Sequence, residues 1–311
     1  MQTTLPLRTT PMTLVLVLGL ITTGCNSWYD SSDHANAVWS ENAEGVAYVE
    51  RFFQAKNHVT HIAQKDFNVQ VFISAPNGSN ATQLTGILEG NVRALYYMEA
   101  KGYVLLARAS EPVEVGQGTN PSATQTLTWE RIDVNGASEL IGQTNGLTTL
   151  SCDGGQSATG GLAPLRVIPS PDGSVLARVD TVSDCLGKDI TLAFLDSDTL
   201  QPLGSSIAVD TEALMAGIPN LGLFPAGFMP MLWQPDGTFL IANGAFMTGT
   251  TNGWEFAIDG TANWRSGITG ECTYPETTSG NVNANGFHIE INNDGALSQS
   301  AGSPDNAFGC D

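Results

Sequence analysis

Apolar and polar positions alternate in short runs along most of the chain, and turn residues bound the runs. Phe67, Val69, Val71 and Ile73 fall at period two, as a half-buried strand requires. The same spacing returns at Ile190, Leu192 and Phe194, at Trp254, Phe256 and Ile258, and at Phe287, Ile289 and Ile291. Each of these later runs leads into an Asp- or Asn-rich turn: Asp196-Ser197-Asp198, Asp259-Gly260 and Asn293-Asp294-Gly295. Other segments are strand-like without gaps, such as Val46-Ala47-Tyr48-Val49, Tyr103-Val104-Leu105-Leu106, Val175-Leu176-Ala177 and Phe239-Leu240-Ile241. Turns at 42–45, 76–79, 101–102, 135–136, 170–173 and 234–237 separate them, each with a Gly or Asn that tolerates the positive φ of a tight hairpin.

The runs group into copies of one plan. The stretch Trp39–Thr85 predicts two hairpins in series, and further copies open at the turns ending in Gly102, Gly173 and Gly237. These openings lie roughly 60 to 70 residues apart, a repeat length. With four strands per unit, each small sheet has an apolar face it cannot bury alone, so neighbours must stack around an axis. The expected fold is therefore all-β: a β-propeller of four-stranded blades, about five to six in number, the last irregular. An array of β-sandwiches is the runner-up. SPDGSVLARV and WQPDGTFLIA resemble the WD40-like repeat of TolB-like β-propellers, and DFNVQVFISAPNGSNATQLT is similar to it in its opening strand, turn and closing Leu-Thr. The resemblance is strongest over residues 39–85, 168–179 and 231–242. It implies a periplasmic binding or scaffold role.

Residues 208–230 break the pattern, with one or two helical turns from Thr211 followed by an apolar insertion. Leu221, Leu223, Phe224 and Phe228 in that insertion form either a loop folded over a gap between blades or an exposed patch for a partner.

The first 24 residues change the picture of where the protein works. Leu14 to Ile21 is an apolar run too short to span a bilayer but suited to a secretory signal. It ends in Thr22-Thr23-Gly24-Cys25, which resembles the lipobox of bacterial lipoproteins, with Thr22 standing where the family usually has Leu. The resemblance implies cleavage before Cys25 and lipid attachment there. Residues 1–24 are then signal peptide, 25–36 a polar tether and 37–311 a single propeller domain. The expected location is an envelope membrane reached through the lipid alone, at the periplasmic face of the outer membrane or the cell surface.

The chain carries 12 basic and 31 acidic residues, a formal net charge of −19. So acidic a surface repels nucleic acid and anionic lipid headgroups and favours solubility. With Cys25 lipidated, Cys152, Cys185, Cys272 and Cys310 are left, an even set that predicts disulfides in an exported protein. Three pairings are open. The sequential one, Cys152–Cys185 with Cys272–Cys310, contributes roughly 3–4 kcal/mol per bridge in the chain-entropy model.

Candidate chemistry is sparse. His58 and His61 stand at i, i+3, a spacing able to share a metal on a helical turn, but a polar inter-strand loop is the better reading. His288 and Glu290 share a strand face and could form an acid/base couple at an axial pore or a plain hydrogen bond. Gly155 to Gly160 lacks the G-x-S-x-G order, no CxxC pair occurs, and the Asp-rich turns do not make a calcium loop. No catalytic residue, metal site or cofactor is expected. The expected function is a non-catalytic module binding an envelope protein or peptide. The alternative is an enzyme or a small-molecule or glycan binder using an axial pocket.

Overall fold

The structure is a computed structural model that describes residues 27–57, 62–110, 126–145, 150–152, 156–158, 165–182, 189–215, 231–234, 236–242, 251–268 and 287–301. The first sheet holds β1 (Tyr29–Trp39), β2 (Val46–Asn57), β3 (Ile62–Ser74) and β4 (Thr82–Gln83) in that order, with β5 (Leu88–Glu89) also paired to β3. The second runs β6 (Asn91–Met98), β7 (Tyr103–Ala109), β8 (Thr126–Asp133), β9 (Ser138–Asn145). A small hairpin, β10 (Leu150–Cys152) and β11 (Gln156–Ala158), separates it from the third sheet, β12 (Leu165–Pro169), β13 (Val175–Val182), β14 (Asp189–Asp196), β15 (Ile207–Val209). Helix α1 (Thr211–Met215) precedes the fourth: β16 (Met231–Trp233), β17 (Phe239–Ala242), β18 (Thr251–Phe256), β19 (Ala262–Ile268). The last is a pair, β20 (Phe287–Ile291) and β21 (Leu297–Ala301). Every pairing within these sheets is antiparallel, so each is a meander in chain order.

The ungapped apolar runs have a packing cause. A strand covered on one face alternates, whereas one covered on both does not. In β2, Ala47 and Val49 pack toward the second sheet against Leu95, Val104 and Leu106, while Val46 and Tyr48 face Ile289 of the last sheet. In β7, Val104 and Leu106 look back at the first sheet, and Tyr103 and Leu105 look forward to Leu165, Val167 and Leu176 of the third. Val175, Ala177, Val179, Ile190, Leu192 and Phe194 of the third sheet then meet Met231, Trp233, Phe239 and Ile241 of the fourth. Leu214 of α1 is fully buried in that same layer. The first four sheets thus pack face to face in chain order, and the last packs on the first. This arrangement is a β-propeller with four complete blades and a two-stranded fifth among the described residues, in line with the expected repeat.

Indole N–H groups tie blades together. Trp129 donates to the Leu165 carbonyl at 2.9 Å, Trp233 to Ile168 at 3.1 Å and Trp39 to Phe287 at 3.0 Å. The Tyr103 hydroxyl, fully buried, donates to the Gly173 carbonyl at 2.7 Å. Burial pushes the Tyr103 phenol well above its ordinary value.

One feature departs from the sequence reading, and the irregular last blade has an orientation of its own. Residues 29–36, expected in a tether, form most of β1. Their polar side chains are accommodated because β2 supplies both the backbone partners and Arg51, whose guanidinium grips Asp33 at 2.6–2.7 Å. The last hairpin also runs opposite to the blade openings. β6 is parallel to β1 at the Ser40–Tyr97 bridge. β20 instead starts beside Trp39 and ends near His34, whose Nδ1 lies 3.1 Å from the Asn293 carbonyl oxygen.

The turns form one repeated device. Asn42, Asn77, Asn135, Asp172, Asp196, Asp236, Asp259 and Asn292 each accept the N–H two residues on, at 2.9–3.1 Å. Hydrogen bonds hold the aspartates below the ordinary carboxyl value, the Ser170 hydroxyl acting chiefly on Asp172 and the Thr238 hydroxyl on Asp236. Asp196 and Asp259 are lowered first by the backbone N–H groups of Thr199 and Thr261. A folded pKa below the unfolded one gives stability that is complete above the ordinary value of 3.8 and lost as pH falls through the folded value. Asp172→Asn, which lacks the carboxylate charge, is therefore expected to be less stable than the wild type at pH 7 and to converge with it below about pH 4, so that it loses less stability on acidification. Asp172→Ala should cost about 1 kcal/mol at pH 7. Thermal unfolding at both pH values checks this; equal acid sensitivity of Asp172→Asn and wild type would contradict it.

Candidate functional site

Beyond the blade body the first sheet continues as a three-stranded ribbon of β1, β2 and β3, and a depression of about 570 Å³ opens on it. Its lining is Asp30, Ser31 and Ser32 from β1, Phe52, Phe53 and Gln54 from β2, Asp66 and Asn68 from β3, and Ile87. A bulge sets this geometry. The register skips between Phe52 and Gln54, and Asp66 takes a φ of 54° opposite them. Phe53 and Phe67 stack tilted with centroids 5.4 Å apart and, with Ala55, form a small core of their own. The polar lining is partly committed: Gln54 Nε2 donates to Asp30 Oδ1 at 3.5 Å, and Asp66 pairs with Lys65 at 3.4 Å. Carboxylates, amides and hydroxyls beside an aromatic ring can hold a hydroxyl-rich or cationic group by hydrogen bonds.

His288 and Glu290 do share a face of β20, as the spacing predicts, opposite Ser300 and Ser298 of β21. His288 Nδ1 is buried and has no hydrogen-bond partner among the described residues, while Glu290 is exposed. The charged groups of the other blades are engaged with one another. Arg51–Asp33, Arg108–Glu130 and Arg178–Asp180 are two-pronged pairs at 2.6–3.2 Å. Arg131 pairs with Asp133 at 2.9 Å and also donates to the Asp198 carbonyl across the blade junction. In the fourth blade Arg265 donates to Gln234 at 2.8 Å and Glu255 at 3.1 Å, and Gln234 donates to Glu255 at 2.5 Å. The Arg51–Asp33, Arg108–Glu130 and Arg265–Glu255 pairs escape a sequence reading because their partners sit on different strands. The one available signal is an Arg and an acid at alternate positions, as in Arg131-Ile132-Asp133 and Arg178-Val179-Asp180.

Of the residues singled out in the sequence, Cys25, Cys185, Cys272, Cys310, Leu221, Leu223, Phe224, Phe228, His58 and His61 lie outside the described residues. Cys152 ends β10 opposite Gln156. No group of three or more His, Cys, Asp or Glu able to hold a metal occurs among the described residues. No helix among them is long and apolar enough to cross a membrane.

No protein-family model matches the chain, and no curated protein matches it. Among solved structures it is similar to the β-propeller domain of the Trilobed protease from Pyrococcus furiosus, at 10% identity and a TM-score of 0.41, over 84% of this chain and 60% of that one. It is also similar to a puromycin-hydrolyzing peptidase of Mycobacterium tuberculosis, at 12% identity and a TM-score of 0.37, over 87% of this chain and 36% of that one. A GH43 β-1,3-galactosidase matches at 9% identity and a TM-score of 0.32, over 84% of this chain and 53% of that one. The chain spans less than two thirds of the length of each of these structures. Likenesses this distant carry nothing about activity, and the propeller assignment rests on the sheet order and the packing between sheets.

Proposed function

We propose that this is an exported bacterial lipoprotein, TolB-like in its repeats, whose propeller binds a protein or peptide of the cell envelope without catalysing a reaction. The observation that carries the binding reading is the commitment of charge. Arg51, Arg108, Arg131, Arg178 and Arg265 are each paired with a carboxylate inside a blade, so these groups serve the fold. Export and anchoring are supported by the apolar run 14–21 ending at Cys25. The excess of acidic over basic residues favours a basic partner by steering.

Affinity capture of the full chain from its native envelope tests the reading. The expected result is a defined protein or peptide recovered in near-equal amount, with recovery falling as salt rises. A glycan or small molecule recovered in its place would instead support the axial-pocket alternative.

A further inference from the structure

The ribbon of the first sheet is longer than any blade needs. β1, β2 and β3 have 11, 12 and 13 residues, against 8, 7 and 8 in β6, β7 and β8. The register pairs Tyr29 with Ala55 and Asn57 with Ile62, so Trp28, Tyr29, Lys56 and Ile62 meet at one end of the ribbon. That end has a distinct chemistry. Tyr29 and Ile62 are 42% and 54% exposed. The ammonium groups of Lys65 and Lys56 lie 4.6 Å and 5.8 Å from the centroid of the Trp28 ring. In a chain with 31 acidic and only 12 basic residues, two lysines over one Trp ring stand out, one of them, Lys65, also paired with Asp66. Trp and Tyr favour the level of lipid headgroups, and lysine extends its charge toward phosphates while its stem lies on apolar surface.

Chain length supplies the second argument. Trp28 follows Cys25 by three residues, a span of at most about 11 Å when fully extended. A lipid on Cys25 therefore holds this end of the ribbon within reach of the headgroups. We infer that Trp28, Tyr29, Lys56, Ile62 and Lys65 form a membrane-docking edge that seats the propeller on the bilayer carrying its own anchor. The inference rests on the lipoprotein reading.

Lysine acetylation footprinting by mass spectrometry tests it, with Lys101 in the turn before β7 as internal reference. One arm uses the native full chain on phosphatidylethanolamine–phosphatidylglycerol vesicles. The other uses the full chain with Cys25→Ser, held on nickel-chelating vesicles by a histidine tag at its N-terminus. In both arms labelling of Lys56 and Lys65 should slow by about threefold or more relative to vesicle-free protein, with Lys101 unchanged. The double variant Trp28→Ser, Ile62→Ser should lose that protection while keeping the wild-type thermal midpoint. Equal labelling of all three lysines with and without vesicles in both arms overturns the docking edge. Protection that requires envelope extract and not vesicles also overturns it, in favour of a protein partner. A native chain that carries no lipid and does not bind vesicles defeats the anchor reading alone, since the tethered arm still reports on the edge.

Discussion

Trp39→Ala should lower stability by about 3–5 kcal/mol, the cost of deleting a large buried aromatic side chain. Trp39 is only 7% exposed and lies in the layer between the first and last sheets with Val46, Tyr48 and Ile289. Its indole also donates to the Phe287 carbonyl at 3.0 Å, and losing that bond leaves a part-buried acceptor without its donor. Trp39→Phe keeps much of the area and loses the bond, so its cost should be about 1–3 kcal/mol. The difference between the two variants separates packing from the tie itself. Trp264→Ala is the control. Trp264 is 39% exposed on an outer strand and stacks edge-on with Trp254, so its loss should cost about 1 kcal/mol. Thermal unfolding followed by near-ultraviolet circular dichroism measures all three, with a drop of roughly 10 °C expected for Trp39→Ala. A Trp39→Ala midpoint equal to that of Trp264→Ala would mean that the first and last sheets do not hold each other.

Much of this architecture is legible in the chain because the physics is local. Asp172 and Asp236 announce their hairpins since an Asx turn needs only the residues around it. Val46 to Val49 and Tyr103 to Leu106 read as strands because burial on both faces leaves no polar alternation to obscure them. What depends on distant partners is less legible. Residues 29–36 look like a tether because the acids that would argue against a strand, such as Asp33, are neutralised only by Arg51 of the neighbouring strand. The direction of β20 is likewise set by its contacts with Trp39 and His34, hundreds of residues away in sequence, and the Asn293-Asp294-Gly295 turn looks the same whichever way the hairpin points. The candidate site follows the same rule. The face shared by His288 and Glu290 is a local spacing and is readable, whereas the depression beside Phe52 lies where the β2–β3 register skips opposite Asp66, a feature of the pairing between strands.

Cys25→Ser is expected to have the largest effect on behaviour in the cell. If residue 25 carries the lipid, that single sulfur is the stable attachment: the remainder is a strongly acidic chain, and none of its described helices can span a bilayer. Two acyl chains anchor stably, whereas an interfacial edge of a few residues binds weakly and reversibly. The substitution should leave the fold intact, because residue 25 precedes β1, the first strand of the described fold. The direct measurement is membrane fractionation of the full chain, wild type against Cys25→Ser, expressed in a bacterial host. The account predicts wild type in the membrane pellet with a diacylglyceryl mass on its N-terminal peptide, and Cys25→Ser in the soluble fraction after a carbonate wash. Equal recovery of both proteins in the washed pellet would contradict it.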